Sequence, residues 1–222
     1  TYYGGSGGEM SGSILIDSNN NVLISGGTGS LNNIATTGSN TSGYTSGNAF
    51  IAKFNTNGDR IWSSYYPFST SDMKIDQNDN MYVFGSLLQA NPNIPSTGCH
   101  QSIKDIYTSG FLIKLNSSGA KEWGTYYGGN QNETIYDLSV DNNGNIYIVG
   151  GTNSTNAFST PGAFQTTKAS SGDYETGFLA KFDASGNRVW GTFYGGELAD
   201  GFFNCDISSD GYLYAFGTHN SQ

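Results

Sequence analysis

Cysteine is scarce in this sequence, and so are charged residues. The 222 residues include only two cysteines, Cys99 and Cys205, which are too few for a disulfide framework and lack the spacing of a metal site. Charged residues make up 12%, and 9 Lys and Arg against 18 Asp and Glu leave a net charge of −9. A chain with so little positive charge lacks the basic footprint that sequence-independent binding to DNA or RNA requires, so no nucleic-acid partner is predicted.

Long apolar runs and an export leader are also missing. No stretch of about 18 apolar residues occurs, so the sequence predicts no transmembrane segment. The chain begins at Thr1 without a methionine or a signal-peptide pattern, so we expect any export signal to have been removed or to lie outside this segment. Gly, Ser, Thr, Asn and Tyr dominate instead, as in many exported all-β proteins. We therefore expect an extracellular location or one on the outer cell surface.

What the sequence does contain is an internal repeat. The tract Trp-Gly-Thr-Tyr-Tyr-Gly-Gly at 123–129 returns with one change at 190–196 and more loosely at 62–68, and its last five residues open the chain. The Ser or Thr of these tracts recurs at steps of 63, 61 and 67 residues, at Thr1, Ser64, Thr125 and Thr192. The chain therefore divides into approximate repeats at 1–63, 64–124, 125–191 and an incomplete 192–222.

Two further blocks in each repeat have the pattern of β-strands. One joins a polar turn to an apolar run, as in Asp141–Gly150, and the other has the form Phe-Leu-Ala-Lys-Phe, as at 178–182. Turns such as Asp183–Asn187 place Asn and Gly where hairpins need a positive φ. No helical period of 3.6 residues occurs. We predict an all-β fold of about three and a half repeats of 61–67 residues, arranged as four-stranded antiparallel blades of a β-propeller, with a solenoid as the alternative.

Long polar connections separate the two hairpins of each repeat, at about 28–48, 86–109 and 152–176. They exceed ordinary loop lengths, so we expect them either to carry function or to pack in an irregular way of their own. They share a weak pattern, which is Thr-Gly at 37–38, Thr-Gly-Cys-His-Gln at 97–101 and Thr-Pro-Gly-Ala-Phe-Gln at 160–165.

In these motifs the chain resembles the SBBP repeats, which are predicted to build seven-bladed β-propellers in secreted bacterial proteins. The third repeat carries the pattern best, at Tyr126–Gly129, Val140–Thr152, Thr160–Gln165 and Gly177–Phe182. The first two repeats depart from it in the connection, where the Pro-Gly-Ala-Phe element is missing or altered. The resemblance implies an extracellular or cell-surface segment of a larger adhesin-like protein, and it brings no catalytic signature.

About three and a half blades do not close a ring, because propellers usually have four to eight. We expect Thr1–Gly5 to be the last strand of one blade and the chain to stop after two strands of another. Three arrangements stay open: further blades from a longer polypeptide, a second copy that completes a seven-bladed ring, or a four-bladed ring in which Thr1–Gly5 adds an outer strand to the last blade.

Residues that recur once per repeat are expected to serve the scaffold. A tryptophan before each Tyr pair suits sugar stacking, but its recurrence favours packing between blades. A lysine in each Phe-x-x-Lys strand is expected to lay its stem on apolar surface with its ammonium group in water. These scaffold positions are Trp62, Trp123, Trp190, Lys53, Lys114 and Lys181.

Acidic residues are the first candidates for a ligand site. Three of them lie eight positions before the turn of their repeat, so each is expected at the start of a first strand. If the first strands line the propeller axis, the three carboxylates would meet at one mouth of the channel. There they could bind a cation or a cationic ligand. The three are Glu9, Glu133 and Asp200, and the second repeat breaks the series with Phe68. Turns such as Asp17–Asn21 and Asp76–Asn80 resemble calcium loops, but none continues into an EF-hand pattern, and no metal or cofactor is predicted.

Polar residues outside the repeat pattern are the second candidates, because the scaffold does not require them. They lie in the segment His100–Asp105, at Asp173, Tyr174 and Glu175, and at His219. No nucleophile elbow, metalloprotease motif or phosphate-binding loop accompanies them. The sequence therefore predicts no catalytic residue and no enzyme.

These observations predict a non-catalytic structural or interaction module that binds a protein or a glycan at the cell surface through its long connections. On this interpretation, replacing residues 153–175 by a short linker abolishes binding and leaves folding intact. A propeller enzyme that cleaves polysaccharide with Glu9, Glu133 and Asp200 is one alternative, and a passive spacer or stalk is another.

Overall fold

The computed structural model of the chain describes residues 1–36, 48–66, 72–169 and 174–220, called here the described residues. They form an all-β fold of 14 strands, and none of them is helical. Among them there is accordingly no helix of the length and apolar character that crossing a membrane requires. The strands are β1 (Glu9–Ile16), β2 (Val22–Thr28), β3 (Asn48–Phe54), β4 (Arg60–Tyr66), β5 (Asp72–Ile75), β6 (Met81–Leu87), β7 (Ser109–Leu115), β8 (Lys121–Tyr127), β9 (Glu133–Val140), β10 (Ile146–Thr152), β11 (Thr176–Phe182), β12 (Arg188–Tyr194), β13 (Asp200–Ile207) and β14 (Leu213–His219).

Strands that follow one another along the chain pair with one another. The first sheet has the order β1-β2-β3-β4, the second β5-β6-β7-β8 and the third β9-β10-β11-β12, while β13 and β14 form a two-stranded fourth sheet. The strand pairs of the first, third and fourth sheets are antiparallel, as hairpin connections require. The predicted all-β fold with four antiparallel strands per repeat is confirmed.

The chain forms two compact units. The first comprises Thr1–Val83 and Ile113–Glu122, and the second comprises Phe84–Leu112 and Trp123–Gln222. Both cysteines belong to the second unit, and they do not form a disulfide with each other.

One hydrogen-bond pattern shapes the hairpin turns. Through Oδ1, Asp17 accepts hydrogen bonds from the backbone N–H groups of Asn19 at 2.9 Å and Asn21 at 2.8 Å. Between them, Asn20 has a φ of 61°, and glycine takes this left-handed position in most of the other turns. The same contacts recur in the turns that begin at Asn55, Asp76, Asn116, Asp141 and Asp183. The turn carboxylates are thus engaged by their own backbone.

The opening residues differ from the expectation. Thr1–Gly5 is not a strand, because no strand among the described residues pairs with it. The Thr1 hydroxyl donates a hydrogen bond to the carbonyl oxygen of Gly58 at 3.0 Å, and the Tyr3 ring packs against Phe50 and Phe54 at centroid distances of 5.2 and 5.5 Å. The opening tract therefore contributes packing without joining a ladder.

The long connections pack onto their own sheets. In the third sheet Phe158 is completely buried, with its ring centroid 4.9 Å from that of Phe178 and 5.7 Å from that of Phe193. The N–H of Thr160 donates to the carbonyl oxygen of Gly191 at 3.0 Å, along the outer strand β12. Ile34 and Ile94 are equally buried in the other two connections. Of the two expected possibilities, irregular packing describes these parts of the connections.

A glutamine fixes the second half of each of two connections. Through its backbone carbonyl, Gln165 accepts a hydrogen bond from the N–H of Phe193 at 3.1 Å, and its side-chain oxygen accepts one from Gly195 at 3.1 Å. Gln101 makes the same two contacts, to Tyr126 and Gly128, both at 3.0 Å. A short linker in place of 153–175 would remove Phe158 and Gln165 from these contacts, so we expect that replacement to destabilise the third sheet. The expectation that folding survives the replacement stays an untested prediction.

Candidate functional site

The carboxylate of Glu133 lies inside its own repeat rather than at an open surface. It accepts a hydrogen bond from the Thr152 hydroxyl at 3.0 Å, one from the Ser154 hydroxyl, and one from the backbone N–H of Gly129 at 3.1 Å. Only 1% of the residue is exposed. We call this arrangement the carboxylate clasp, because it ties the Tyr-Tyr-Gly-Gly tract and the end of β10 to the start of β9.

The first and fourth sheets have a clasp in the same place. Glu9 accepts hydrogen bonds from the hydroxyls of Thr28, at 3.0 Å, and of Ser30. Asp200 accepts backbone hydrogen bonds from Gly196 at 2.6 Å and from residue 220 at 2.8 Å, and it pairs with the His219 ring at 3.2 Å. In the second repeat the corresponding Phe68 lies outside the described residues.

Two of these carboxylates have pKa values that are shifted in opposite directions, because they are buried to different degrees. Loss of water contact raises the pKa of Glu133 to about 7, against the hydrogen bonds from Ser154, Gly129 and Thr152 that lower it. Glu9 is only partly buried, and there the hydrogen bond from Ser30 is the largest influence, so its pKa is lowered. Desolvation and hydrogen bonding thus oppose each other, and the degree of burial decides which dominates.

No cation site is assembled from the three acids. Among the described residues, no group of three or more His, Cys, Asp or Glu side chains is placed to hold a metal ion. The structure instead brings each acid together with hydroxyl or backbone groups of its own sheet. The shared channel mouth for Glu9, Glu133 and Asp200 stays a hypothesis without a geometric observation behind it.

The family comparison falls on the same segment as the best-formed clasp. Residues 122–156 match the family model SBBP, described as a beta-propeller repeat. This segment is similar to an SBBP repeat. It contains Gly129, Glu133, Thr152 and Ser154, so every member of the third sheet's clasp lies inside it. The resemblance to the SBBP family is therefore confirmed. A search of curated proteins finds no significant match.

The repeated tryptophans pack on turns. A Cβ built on Gly186 would lie 2.8 Å from the Trp123 ring, and the Trp123 indole N–H donates to the carbonyl oxygen of Ala184 at 3.1 Å. Trp62 stands in the same relation to Gly119, at 2.9 Å. Trp190 lies against Tyr147 of its own sheet, with ring centroids 6.2 Å apart. One face of each of these two indole rings is therefore covered by a turn of the protein.

The repeated lysines follow a local rule. In the first sheet the ammonium group of Lys53 bonds to Asp17 at 2.7 Å, and both residues are buried. The expectation that this ammonium group reaches water is wrong. In the first sheet the residue of β2 that pairs with Lys53 is Leu23. In the third sheet the residue that pairs with Lys181 is Tyr147, and its hydroxyl donates a hydrogen bond to Asp141 at 3.3 Å. A turn aspartate that lacks a tyrosine partner is thus paired with the lysine instead.

The other two lysines sit over tyrosine rings. Lys181 lies 5.0 Å from the Tyr147 ring centroid. Lys114 lies 5.9 Å from the Tyr82 ring centroid and also pairs with Glu122 at 3.0 Å. Cation–π contacts of this kind keep the ammonium group close to the sheet.

His100 is a packing residue in this structure. Its ring lies 5.9 Å from Tyr127 and 5.6 Å from Phe182, measured between centroids. Burial lowers its pKa to about 4, so the ring is neutral near pH 7. Phe164 holds the equivalent place in the next connection and stacks on Tyr194 at 5.9 Å.

Tyr174 and Glu175 end the third connection, and Asp173 lies outside the described residues. The backbone carbonyl of Glu175 accepts a hydrogen bond at 3.0 Å from the N–H of Asp200, the first residue of β13. Its side chain lies against Gly151 and near the Tyr136 hydroxyl at 3.5 Å, where burial raises its pKa. About half of Tyr174 is exposed.

Lys104 clamps the second connection, a role that the sequence did not predict. The ammonium group of Lys104 donates hydrogen bonds to three backbone carbonyl oxygens, those of Leu88 at 2.7 Å, Asp105 at 2.6 Å and Tyr107 at 2.7 Å. We call Leu88 together with residues 102–107 the Lys104 loop. Three bonds from one cation fix the two ends of the connection to each other.

The Lys104 loop carries three exposed apolar side chains. Ile103 and Ile106 are 79% and 78% exposed, and Leu88 is 62% exposed. The clamp constrains the backbone at Leu88 and on both sides of Ile106. The sequence offered one signal for the clamp, because Lys168 follows Gln165 at the spacing of Lys104 after Gln101 and donates to the carbonyl oxygen of Asn153 at 3.1 Å.

Proposed function

We propose that this chain is part of an SBBP-type β-propeller that acts as a non-catalytic interaction module outside the cell, and that the Lys104 loop binds a protein partner. The family match and the repeated four-stranded sheets support the propeller architecture. The composition, rich in small polar residues and poor in charge, supports the extracellular location.

The observation that carries the proposal is the exposed position of Ile103 and Ile106 on a clamped loop. A partner that covers large aliphatic side chains at about four-fifths exposure removes apolar surface from water, which favours binding, and a fixed loop loses little entropy on binding. Aliphatic groups favour a protein partner, because glycans are bound through aromatic faces and polar groups. One face of each indole ring of Trp62 and Trp123 is already covered by a turn.

The enzyme alternative is not supported by the geometry of its proposed acids. Glu133 is buried, and it already accepts three hydrogen bonds from its own repeat. A general acid must reach the atom to which it transfers a proton. A passive spacer would also lack an active site, and the experiment below separates it from an interaction module.

A photo-crosslinking residue at position 103 tests the proposal. The producing cells are irradiated intact, and adducts are identified after an impermeant protease has trimmed the surface. Thr167 is the matched control, because it follows Gln165 as Ile103 follows Gln101, and in both cases the glutamine side chain donates to its carbonyl oxygen at 3.0 Å. We expect one protein adduct from position 103 that surface protease removes. Equal labelling from both positions, or adducts protected from protease, would contradict the proposal.

A further inference from the structure

The clasp residue Glu133 is bonded to the residue that follows the Lys104 loop. Its backbone N–H donates to the carbonyl oxygen of Thr108 at 2.9 Å, and the side-chain oxygen of Asn132 accepts a hydrogen bond from the N–H of Thr108 at 3.1 Å. Thr108 follows Tyr107, whose carbonyl oxygen is one of the three to which Lys104 donates. Two hydrogen bonds and one peptide bond therefore connect the start of β9 to the clamp.

The charges of the loop and of Glu133 also act on each other. Burial is the main cause that raises the pKa of Glu133 to about 7, and the charge of Asp105 adds to it. Burial lowers the pKa of Lys104, and the charges of Asp105 and Glu133 oppose that shift. Such coupling is reciprocal, so a change in the loop alters the ionisation of Glu133 as much as Glu133 alters the loop.

Further ionisable groups border the clasp and the loop. Burial raises the pKa of Tyr127 on β8, against the nearby charge of Arg188, so this phenol is neutral at pH 7. Burial lowers the pKa of His100 to about 4, so this ring is neutral there as well. Lys168 adds a cation at the start of the third connection. Unlike Tyr127 and His100, Glu133 changes its charge near neutral pH.

The clasp gives the carboxylate little room for water. Only 1% of Glu133 is exposed, and a Cβ built on Gly128 would lie 2.5 Å from its Oε2. A buried carboxylate that ionises gains hydration when its site opens. Opening the clasp displaces the start of β9, where Glu133 is bonded to Thr108.

We propose that Glu133 controls the Lys104 loop, which holds its partner-binding conformation while Glu133 is protonated and loses it as Glu133 ionises. The charged carboxylate opens the clasp, the bond to Thr108 is weakened, and one end of the loop is released. This inference rests on the proposed function, because it concerns the regulation of the same binding loop.

The first measurement follows the δ-methyl resonances of Ile103 and Ile106 in the unliganded chain from pH 5 to pH 9. We expect both to titrate with a midpoint of about 7. Glu133→Gln should abolish this titration, and Glu9→Gln, in the clasp of the first sheet, is the matched control that should leave it in place. Asp105→Asn should lower the midpoint, because it removes a negative charge that raises the pKa of Glu133.

The second measurement is the affinity of the protein captured at position 103 for the purified chain at pH 6 and pH 8. We expect the affinity to fall roughly fivefold or more as the pH rises, and Glu133→Gln to bind equally well at both. Because binding and ionisation are linked, the bound partner should also raise the midpoint of the methyl titration.

Methyl resonances that do not titrate, or that titrate unchanged in Glu133→Gln, would overturn the inference. A pH-independent affinity, or the same pH dependence in Glu133→Gln, would also overturn it and would leave the proposed function in place. If no protein is captured at position 103, the proposed function is contradicted instead, and the methyl titration still decides whether Glu133 controls the loop.

Discussion

Glu9 and Glu133 accept hydrogen bonds from equivalent hydroxyl groups, yet their pKa values move in opposite directions. The contacts are the same, and the difference lies in how much water reaches each carboxylate. The more exposed Glu9 is stabilised as an anion, whereas the buried Glu133 holds its proton to about pH 7. One repeated motif therefore has two electrostatic states within a single chain.

The contribution of Glu133 to the free energy of unfolding should decrease as the pH rises toward neutral. Its folded pKa of about 7 lies above its ordinary value of 4.5, so the folded state binds the proton more tightly. Its contribution is fully present below pH 4.5 and is lost as the pH rises through about 7. One pKa unit corresponds to about 1.4 kcal/mol, so the loss is on the order of 3 kcal/mol at most. Urea unfolding between pH 4 and pH 8 measures the slope, and Glu133→Gln should remove it.

The control for this prediction is Glu9→Gln. Because the pKa of Glu9 is lowered, its contribution is present above its ordinary value of 4.5 and is lost at lower pH. Glu9→Gln should therefore leave the slope between pH 4.5 and 7 in place. If Glu133→Gln and the unaltered protein show the same slope, the assignment to Glu133 is wrong.

Gly186→Ala should cost more stability than Gly98→Ala. Both glycines have a left-handed φ, 83° and 76°, so both substitutions carry a backbone cost of about 1–2 kcal/mol. At Gly186 the new Cβ meets the Trp123 ring at 2.8 Å, whereas at Gly98 no atom of the described residues beyond its chain neighbours lies within 4 Å. We expect a further loss of about 1–3 kcal/mol at Gly186. Chemical denaturation checks this, and equal losses would show that the indole does not depend on the bare turn.

Lys53→Met should be more destabilising than Lys181→Met. Lys53 is the buried partner of Asp17, whose pKa is lowered to about 2 by Lys53 and the turn hydrogen bonds against the desolvation that raises it. Removing one partner of a buried pair costs about 3–5 kcal/mol. Lys181 contacts the face of Tyr147, a contact of about 0.5–2 kcal/mol. Guanidinium unfolding of both variants checks the order, and a loss at Lys53 no greater than at Lys181 would refute it.

Phe158→Ala should destabilise the fold by about 3–5 kcal/mol, because it removes a completely buried ring from a connection. Ile106→Ala in the second connection is the surface control and should stay within about 0.5 kcal/mol. Thermal unfolding followed by circular dichroism measures both. A Phe158→Ala variant as stable as the control would mean that the connection is not part of the core.

The strands and turns could be predicted because repetition and turn chemistry act locally. An Asp or Asn followed by a left-handed Asn or Gly shapes its own hairpin, as Asp141 and Gly144 show. The direction of the Glu133 side chain could not be predicted in the same way. It depends on Thr152, which the β9–β10 register places opposite Glu133, and on Ser154 beyond the strand.

The roles of Lys53 and Lys104 depend on which partner each ammonium group meets after folding. The sequence contained a signal for the Lys53–Asp17 pair, because Leu23 stands where the third sheet has Tyr147. Leu23 has no hydroxyl to donate to Asp17, whereas Tyr147 donates its hydroxyl to Asp141. Lys104 donates to backbone carbonyl groups, and because every residue has one, the residue types do not reveal these acceptors. The lysine at the equivalent position 168 is the sequence signal that could have indicated the clamp.

The most direct test of the proposed function is the affinity of the partner captured at position 103 for purified variants of this chain. The double variant Ile103→Ser and Ile106→Ser is compared with Leu31→Ser, which alters an apolar residue of the first connection that is 64% exposed. We predict at least a tenfold loss of affinity for the double variant, equivalent to about 1.4 kcal/mol, and no change for Leu31→Ser. Unchanged affinity in the double variant would contradict the account.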